Sequence, residues 1–296
     1  MRTFAAVLAL ASALPLAAQA DWKQDYDVLR LGLISSENAT DRLAKLEPLK
    51  AYLAKALGVE IEFFTAANYD GTIQALAANQ IEFATLGSSG YAAAWTLTNG
   101  GVEPIGVPKA ADGNTGYFAE VIVRCDSGLK TIDDLKGKVL AFADPDSTSG
   151  YNVPYYNLKI QGYEPETFFS AIPFSGSHEA GVMGVATGQF DSAATHFSTP
   201  TAGVVRNMEK KGMIETGVIC SVWSSPEITN SPFTARSNLP RELIDEMREA
   251  LVAMPEADPV AWTAYGGENV AFQPVGHETY QWIVDMREWF RTQRRG

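Results

Sequence analysis

Two periods alternate along the first third of the chain. Val28-Leu29-Arg30-Leu31-Gly32-Leu33-Ile34 is an apolar run of strand length, and Asp41 to Leu57 then repeats its apolar residues at helical spacing until Gly58 closes the helix. Val59 to Phe64 alternates as a second strand, and Asn68-Tyr69-Asp70-Gly71 turns into a helix ending near Asn79. Ile81 to Leu86 makes a short third strand that runs into a loop, Gly87-Ser88-Ser89-Gly90-Tyr91. This β-α-β-α-β order predicts a largely parallel sheet covered by helices. After a strand from Tyr117 to Arg124 the pattern restarts. A short helix over Thr131–Leu135, a strand over Val139–Ala143, a helix continuing through Leu158, a strand over Ser170–Phe174, a helix over His178–Thr187 and a strand over Phe190–Thr195 follow in turn. Phe233-Thr234-Ala235-Arg236 predicts a return strand, with helices over Arg241–Met254 and Glu278–Thr292 behind it. The expectation is a two-lobed α/β protein. One lobe is formed by residues 21–121 and 235–296, the other by 122–234, each a mainly parallel sheet flanked by helices, with two strands crossing between them as in hinged binding proteins.

Composition narrows the setting. Arg2, the apolar stretch Phe4–Leu16 and the small residues Ala18-Gln19-Ala20 read as a secretory signal over residues 1–20, so a periplasmic location is expected for the chain from Asp21 onward. No other stretch nears the roughly 18 apolar residues that span a bilayer. With 23 basic against 35 acidic residues and a net charge of −12, nucleic acid and anionic membranes are poor partners. A small anion is not excluded, because oriented amides and hydroxyls act over a few Å whereas net charge is screened beyond about 8 Å.

Chemistry concentrates in Asp144-Pro145-Asp146-Ser147-Thr148-Ser149-Gly150-Tyr151. Here three hydroxyls sit where a strand ends and a helix begins, with Pro154 placed for the first helical turn. Free first-turn amides, the positive helix end and hydroxyls favour a tetrahedral oxyanion such as phosphate, phosphonate or phosphite. The same residues also serve as an ordinary N-cap, and spacing alone leaves both readings open.

Further motifs decide between them. Asn68-Tyr69-Asp70-Gly71 with Ile81-Glu82-Phe83-Ala84, Asp133-Asp134-Leu135-Lys136-Gly137-Lys138, the segment Asp146–Pro154, Gly176-Ser177-His178-Glu179-Ala180, Ala186–Asp191, and Ser224-Ser225-Pro226 ahead of Ser231-Pro232-Phe233 together span nearly all of the mature chain. In them the chain resembles the periplasmic phosphonate- and phosphite-binding proteins of ABC transporters, which have the type II solute-binding fold. The Asp-Leu-Lys-Gly-Lys segment is shared by many binding proteins, while Ser-Thr-Ser-Gly-Tyr with a downstream Ser-His-Glu is far more specific. The resemblance implies that Ser147, Thr148 and Ser149 bind the phosphonyl oxygens, with His178, Tyr69 and Tyr91 around them. It also implies a permease partner and a monomer without cofactor or metal. Members that take aminoethylphosphonate hold its ammonium with carboxylates, and the corresponding positions here are Ser198 and Ser231. An ammonium then lacks counter-charges unless Glu120, Glu179, Asp191 or Glu227 substitutes. Another phosphonate, phosphite or a phosphate ester fits as well, and Trp95, His196, Phe197 and Trp223 are candidates to line a tail pocket. Glu179 also suits the first turn of its helix whatever the function, and Asp191 suits a strand start.

The enzyme reading lacks support: there is no GxSxG, HExxH or P-loop, and His178, His196 and His277 are dispersed. A hydrolase using Ser147 or Ser149 with His178, and a sensor module presenting the same ligand to a membrane receptor, are the alternatives. Cys125 and Cys220 are either buried thiols or a disulfide. The lobe assignment favours the disulfide, since one cysteine follows the strand entering the second lobe and the other precedes the strand leaving it.

Overall fold

The structure, a computed structural model, describes residues 22–34 and 39–293, so the expected signal segment lies outside the described residues. Leu29, Leu31 and Leu33 of β1 (Val28–Leu33) enter the core, where α1 (Ala39–Leu57) covers them with Leu46, Leu49, Leu53 and Leu57. β2 (Glu60–Thr65) pairs in parallel along one edge of β1. After α2 (Tyr69–Ala77), β3 (Phe83–Thr85) pairs in parallel along the other edge, and α3 (Ser88–Leu97) and β4 (Val102–Lys109) follow. Residues 87–91, expected as a loop, instead cap and open α3. Their Gly and Ser content suits a loop in isolation, but Ser88, Ser89 and Gly90 are buried, and their small side chains let the first turn pack closely.

A second sheet begins with β5 (Gly116–Arg124) and β6 (Leu140–Ala141). Helices α4 (Val153–Ile160), α5 (Pro165–Phe168) and α6 (His178–Ala186) lead to β7 (Ser192–Thr199), β8 (Ala202–Gly203), α7 (Val204–Lys210), β9 (Ile219–Ser224) and β10 (Ile228–Thr229). β5 runs antiparallel to β7, β9 and β10, and β6 runs parallel to β7. The strand expected over 170–174 is reduced to single bridges, Val139 with Ala171 and Phe142 with Phe174. Pro173 between them has no N–H to extend a ladder.

β11 (Phe233–Arg236) returns to the first sheet and inserts antiparallel between β3 and β4. α8 (Arg241–Ala257), α9 (Pro259–Gly266), β12 (Ala271–Gln273) and α10 (Gln281–Gln293) complete the chain, giving the first sheet the order β12-β4-β11-β3-β1-β2. The two crossings between sheets, near 110–115 and 230–232, are tied together. Asn230 donates its N–H to the Thr115 carbonyl at 2.8 Å and its side-chain amide to the Pro108 carbonyl at 3.1 Å. Cys125 and Cys220 form a disulfide beside the β5–β9 ladder, with Cα atoms 5.0 Å apart. α10 packs on α3 and carries Phe290 against Tyr155 of α4, so the C-terminal helix touches both halves.

The return strand is anchored by a buried ion pair. Arg236 meets Glu82 at 3.0 Å, with side chains 8 % and 6 % exposed, while the other Glu82 oxygen accepts from the Arg30 N–H at 2.8 Å. Removing one member leaves a buried charge without its partner. Glu82→Ala is expected to lower stability by about 3 kcal/mol in urea unfolding, and a loss below about 1 kcal/mol would show that the pair does not anchor β11.

Candidate functional site

The ends of β3 and β6 point to the same place between the sheets, the position where open α/β sheets receive ligands. Beyond β6 the chain turns through Asp144-Pro145-Asp146. An Asp144 carboxylate oxygen accepts from the Asp146 N–H at 2.8 Å, and the Asn152 side chain donates to the carbonyls of Pro145 and Ser147 at 3.0 and 2.9 Å. A widened helical turn over Thr148–Asn152 follows, in which the Asn152 N–H reaches back to the Ser147 carbonyl at 3.0 Å before α4 continues with Pro154 in its first turn. The amides of Thr148 and Ser149 therefore have no helix carbonyl behind them and lie at the positive end of the helix dipole. Glycine is required at 150: a Cβ there would stand 2.5 Å from Ala143 Cβ and 2.9 Å from the His178 ring.

Around this turn lies a cavity of about 200 Å3. The second half contributes Ser147, Thr148, Ser149, His178, Tyr117, His196 and Ser198, and the first half contributes Arg42, Tyr69, Thr85 and Gly87, with Asn230 and Ser231 from a crossing. Ser147 is a helix cap and a cavity residue at once, since its hydroxyl accepts from the Gly150 N–H at 3.0 Å and pairs with His178 Nε2 at 3.2 Å. Thr148 Oγ1 accepts from the Ser89 N–H at 2.8 Å, joining α3 of the first half to the turn. Two further contacts cross at the same turn, Tyr69 N–H to Asp144 at 3.5 Å and Arg287 to Asp146 at 2.8 Å.

The donors are uncharged. His178 opens α6 behind the cap Ser177 and is 3 % exposed, with Nδ1 paired to Thr195 Oγ1 at 3.2 Å. Burial, helped by the neighbouring His196, holds its pKa well below the usual imidazole range, and burial also lowers that of His196 to about 4. Burial pushes the hydroxyls of Tyr69 and Tyr117 up, although side-chain hydrogen bonds with Ser147, and with Ser149 and Thr148, oppose the shift. Both phenols thus remain protonated donors near neutral pH. Arg42 is the charged side chain among the described residues lining the cavity.

The cavity gathers Ser147, Thr148, Ser149, His178 and Tyr69, and from the tail candidates His196, Ser198 and Ser231. Tyr91 lies elsewhere. Because residues 88–97 are helical, it sits one turn into α3, fully buried against Tyr280, with its hydroxyl 2.8 Å from His277 Nδ1. Trp223 stands opposite Val121 and packs in the core beside β5, Trp95 stacks on His277, and Phe197 stacks on Phe118. None of the four carboxylates suggested as ammonium partners lines the cavity. Glu179 pairs with Lys211 at 3.2 Å, Asp191 accepts from the Val139 N–H at 2.8 Å, Glu227 accepts from Asn114, and Glu120 borders a separate cavity with Arg206. Arg42, Thr85, Tyr117 and Asn230 were not foreseen. Arg42 belongs to the polar face of an amphipathic helix and Tyr117 to an apolar strand, whereas Asn230, just before the Ser231-Pro232 break, carried a local signal. Among the described residues no His, Cys, Asp and Glu side chains group to hold a metal, and no helix is long and apolar enough to cross a membrane.

Residues 31–280 match a family model described as the periplasmic substrate-binding protein of an ABC transporter for phosphonate. The chain is 31 % identical over 230 residues to the phosphate-import protein PhnD of Mycolicibacterium smegmatis, covering 75 % of this chain and 70 % of that one. It is also 31 % identical over 229 residues to the phosphonates-binding periplasmic protein of Escherichia coli, covering 76 % of this chain and 65 % of that one. The structure of PhnD1 from Prochlorococcus marinus in complex with methylphosphonate superposes with a TM-score of 0.78 at 21 % identity, covering 90 % and 98 % of the two chains, and shares the fold. These relatives are substrate-binding proteins, not enzymes. The chain belongs to the family of periplasmic phosphonate-binding components of ABC transporters.

Proposed function

We propose that this protein captures a phosphonate, or a related oxyanion such as phosphite or a phosphate ester, in the cavity between its sheets and delivers it to an ABC permease. The observation that carries this reading is the convergence of Ser147, Thr148, Ser149, Tyr69 and Tyr117 as neutral donors at one helix N-terminus. A tetrahedral oxyanion offers several acceptor oxygens, and hydrogen bonds to a charged group contribute about 1.5–3 kcal/mol each. The segment 1–20 would direct the chain to the periplasm, where it acts as a monomer. The ligand docks first on the turn at 147–149. The first half, hinged at the two crossings, then closes over it, with Ser89, Tyr69 and Arg287 reaching that turn.

Chemistry at the same residues is disfavoured by their surroundings. Ser147 and His178 are paired as a nucleophile and base would be, but the far nitrogen of His178 meets a threonine hydroxyl rather than a carboxylate. Its lowered pKa makes it a weak base.

In calorimetry, Ser147→Ala combined with Thr148→Ala should weaken methylphosphonate binding by about 2 kcal/mol or more, roughly 30-fold, and an unchanged affinity would remove the proposed seat. His178 supplies a second check, on stability. Its folded pKa lies below the unfolded value of about 6.5, so below that pH the unfolded chain binds more protons and stability falls as pH falls. Between about pH 7 and about pH 5.5 the wild type should lose about 1 kcal/mol more than His178→Gln. Parallel stability curves for the two proteins would mean that His178 is not held neutral.

A further inference from the structure

The first half brings a helix start of its own to the cavity. β3 ends at Thr85, and two residues later Gly87 opens α3, which runs for 10 residues. Gly87 has no side chain to cap that helix. The cap comes from the other half instead, where Thr148 Oγ1 accepts from the Ser89 N–H at 2.8 Å, and Ser88 fixes the start further by donating its hydroxyl to the Thr229 carbonyl at 2.7 Å. A Cβ at Gly87 would stand 3.1 Å from Thr148 Oγ1, tighter than an ordinary contact, so glycine suits this approach of the two helix starts. The other first-turn amides of α3 have no helix carbonyl behind them, and the positive end of its dipole lies where Gly87 lines the cavity.

One side chain beside this start is left unsatisfied. Thr85 lines the same cavity and is 9 % exposed, and its buried Oγ1 has no hydrogen-bond partner among the described residues. The pairing of β3 with β1 and β11 is made by backbone and does not use the hydroxyl. A buried hydroxyl without a partner costs free energy, which an acceptor oxygen on a ligand would recover.

We infer that the oxyanion is held from both halves: Thr85, beside the start of α3, donates its hydroxyl to an oxygen that the turn at Ser147, Thr148 and Ser149 leaves free. This rests on the reading of that turn as the seat of the phosphorus head. One corner of a tetrahedral head carries its substituent and the other three fan apart, so donors on one turn face one side and Thr85 meets the oxygen on the other. The head then needs three unsubstituted oxygens, as a phosphonate, phosphite or phosphate monoester has and a phosphate diester lacks. A head without the third oxygen leaves Thr85 unpaired in the complex, which selects against it. Thr85 is thereby a specificity residue, and the ligand itself joins the two helix starts.

Calorimetry with methylphosphonate and with dimethylphosphinate, the same head with one oxygen replaced by a methyl group, tests this on wild type, Thr85→Val and Thr85→Ser. The wild type should bind dimethylphosphinate at least about 10-fold more weakly than methylphosphonate. Thr85→Val should weaken methylphosphonate binding about 10-fold or more, from one lost hydrogen bond to a charged group, and Thr85→Ser, which restores the hydroxyl, should recover most of that loss. A merely structural threonine would behave differently in urea. The ligand-free midpoint of Thr85→Val should stay in place or rise, because an unpaired buried hydroxyl is exchanged for a methyl group of similar shape. Undiminished affinity in Thr85→Val, a lowered ligand-free midpoint, or equal binding of the two ligands by the wild type would overturn the inference while leaving the seat at Ser147, Thr148 and Ser149 standing. If the wild type binds no methylphosphonate, the seat itself fails and the inference with it.

Discussion

An oxyanion bound by hydroxyls and amides requires donors that are fixed in place before it arrives, because loose donors would lose in ordering what they gain in hydrogen bonding. The turn from Asp144 to Asn152 meets that requirement. Its own side chains hold it: Asp144 on the Asp146 amide, Ser147 on the Gly150 amide, and Asn152 on two carbonyls. Gly150 lets the turn approach Ala143 and His178 more closely than any side chain would permit. Everything else at the site is arranged around this turn. His178 braces Ser147 from α6, Thr195 braces His178 from β7, and the first half reaches it through Ser89, Tyr69 and Arg287.

Neutral donors also reconcile the site with a chain of net charge −12. Long-range repulsion of an anion is screened by salt, whereas the hydroxyls act in contact within a buried cavity where water competes less. With His178 and His196 held uncharged by burial, positive charge among the described lining residues is confined to Arg42, on the opposite half from Ser147, Thr148 and Ser149. The polarity of the cavity is thus graded, with dipoles at one end and a cation at the other.

Much of the framework could be read from the chain, because β1 to β3 and the helices between them show clean strand and helix periods. The turn at Ser147, Thr148 and Ser149 was legible too, since hydroxyls between a strand and a proline-started helix suit an N-cap as well as an anion seat, and Ser147 does cap that turn and line the cavity. What escaped were features decided by tertiary packing. Ser88 to Tyr91 has the composition of a loop, yet burial makes it a helix start and turns Tyr91 into the core. The stretch 170–174 has strand composition, yet Pro173 leaves only two bridges. Arg42 and Tyr117 were hidden for a related reason: a cation on a helix face and an aromatic in a strand are ordinary locally, and only the docking of the two halves brings them to one cavity.

A crystal structure of the protein grown with methylphosphonate tests the central claim most directly. The account predicts the phosphonate group at the N-terminus of the Thr148–Asn152 turn, its oxygens within hydrogen-bonding distance, about 2.5–3.2 Å, of the hydroxyls of Ser147, Ser149 and Tyr117. A phosphonate bound at Arg42 with the seat filled by water, or bound outside the cavity, would contradict it.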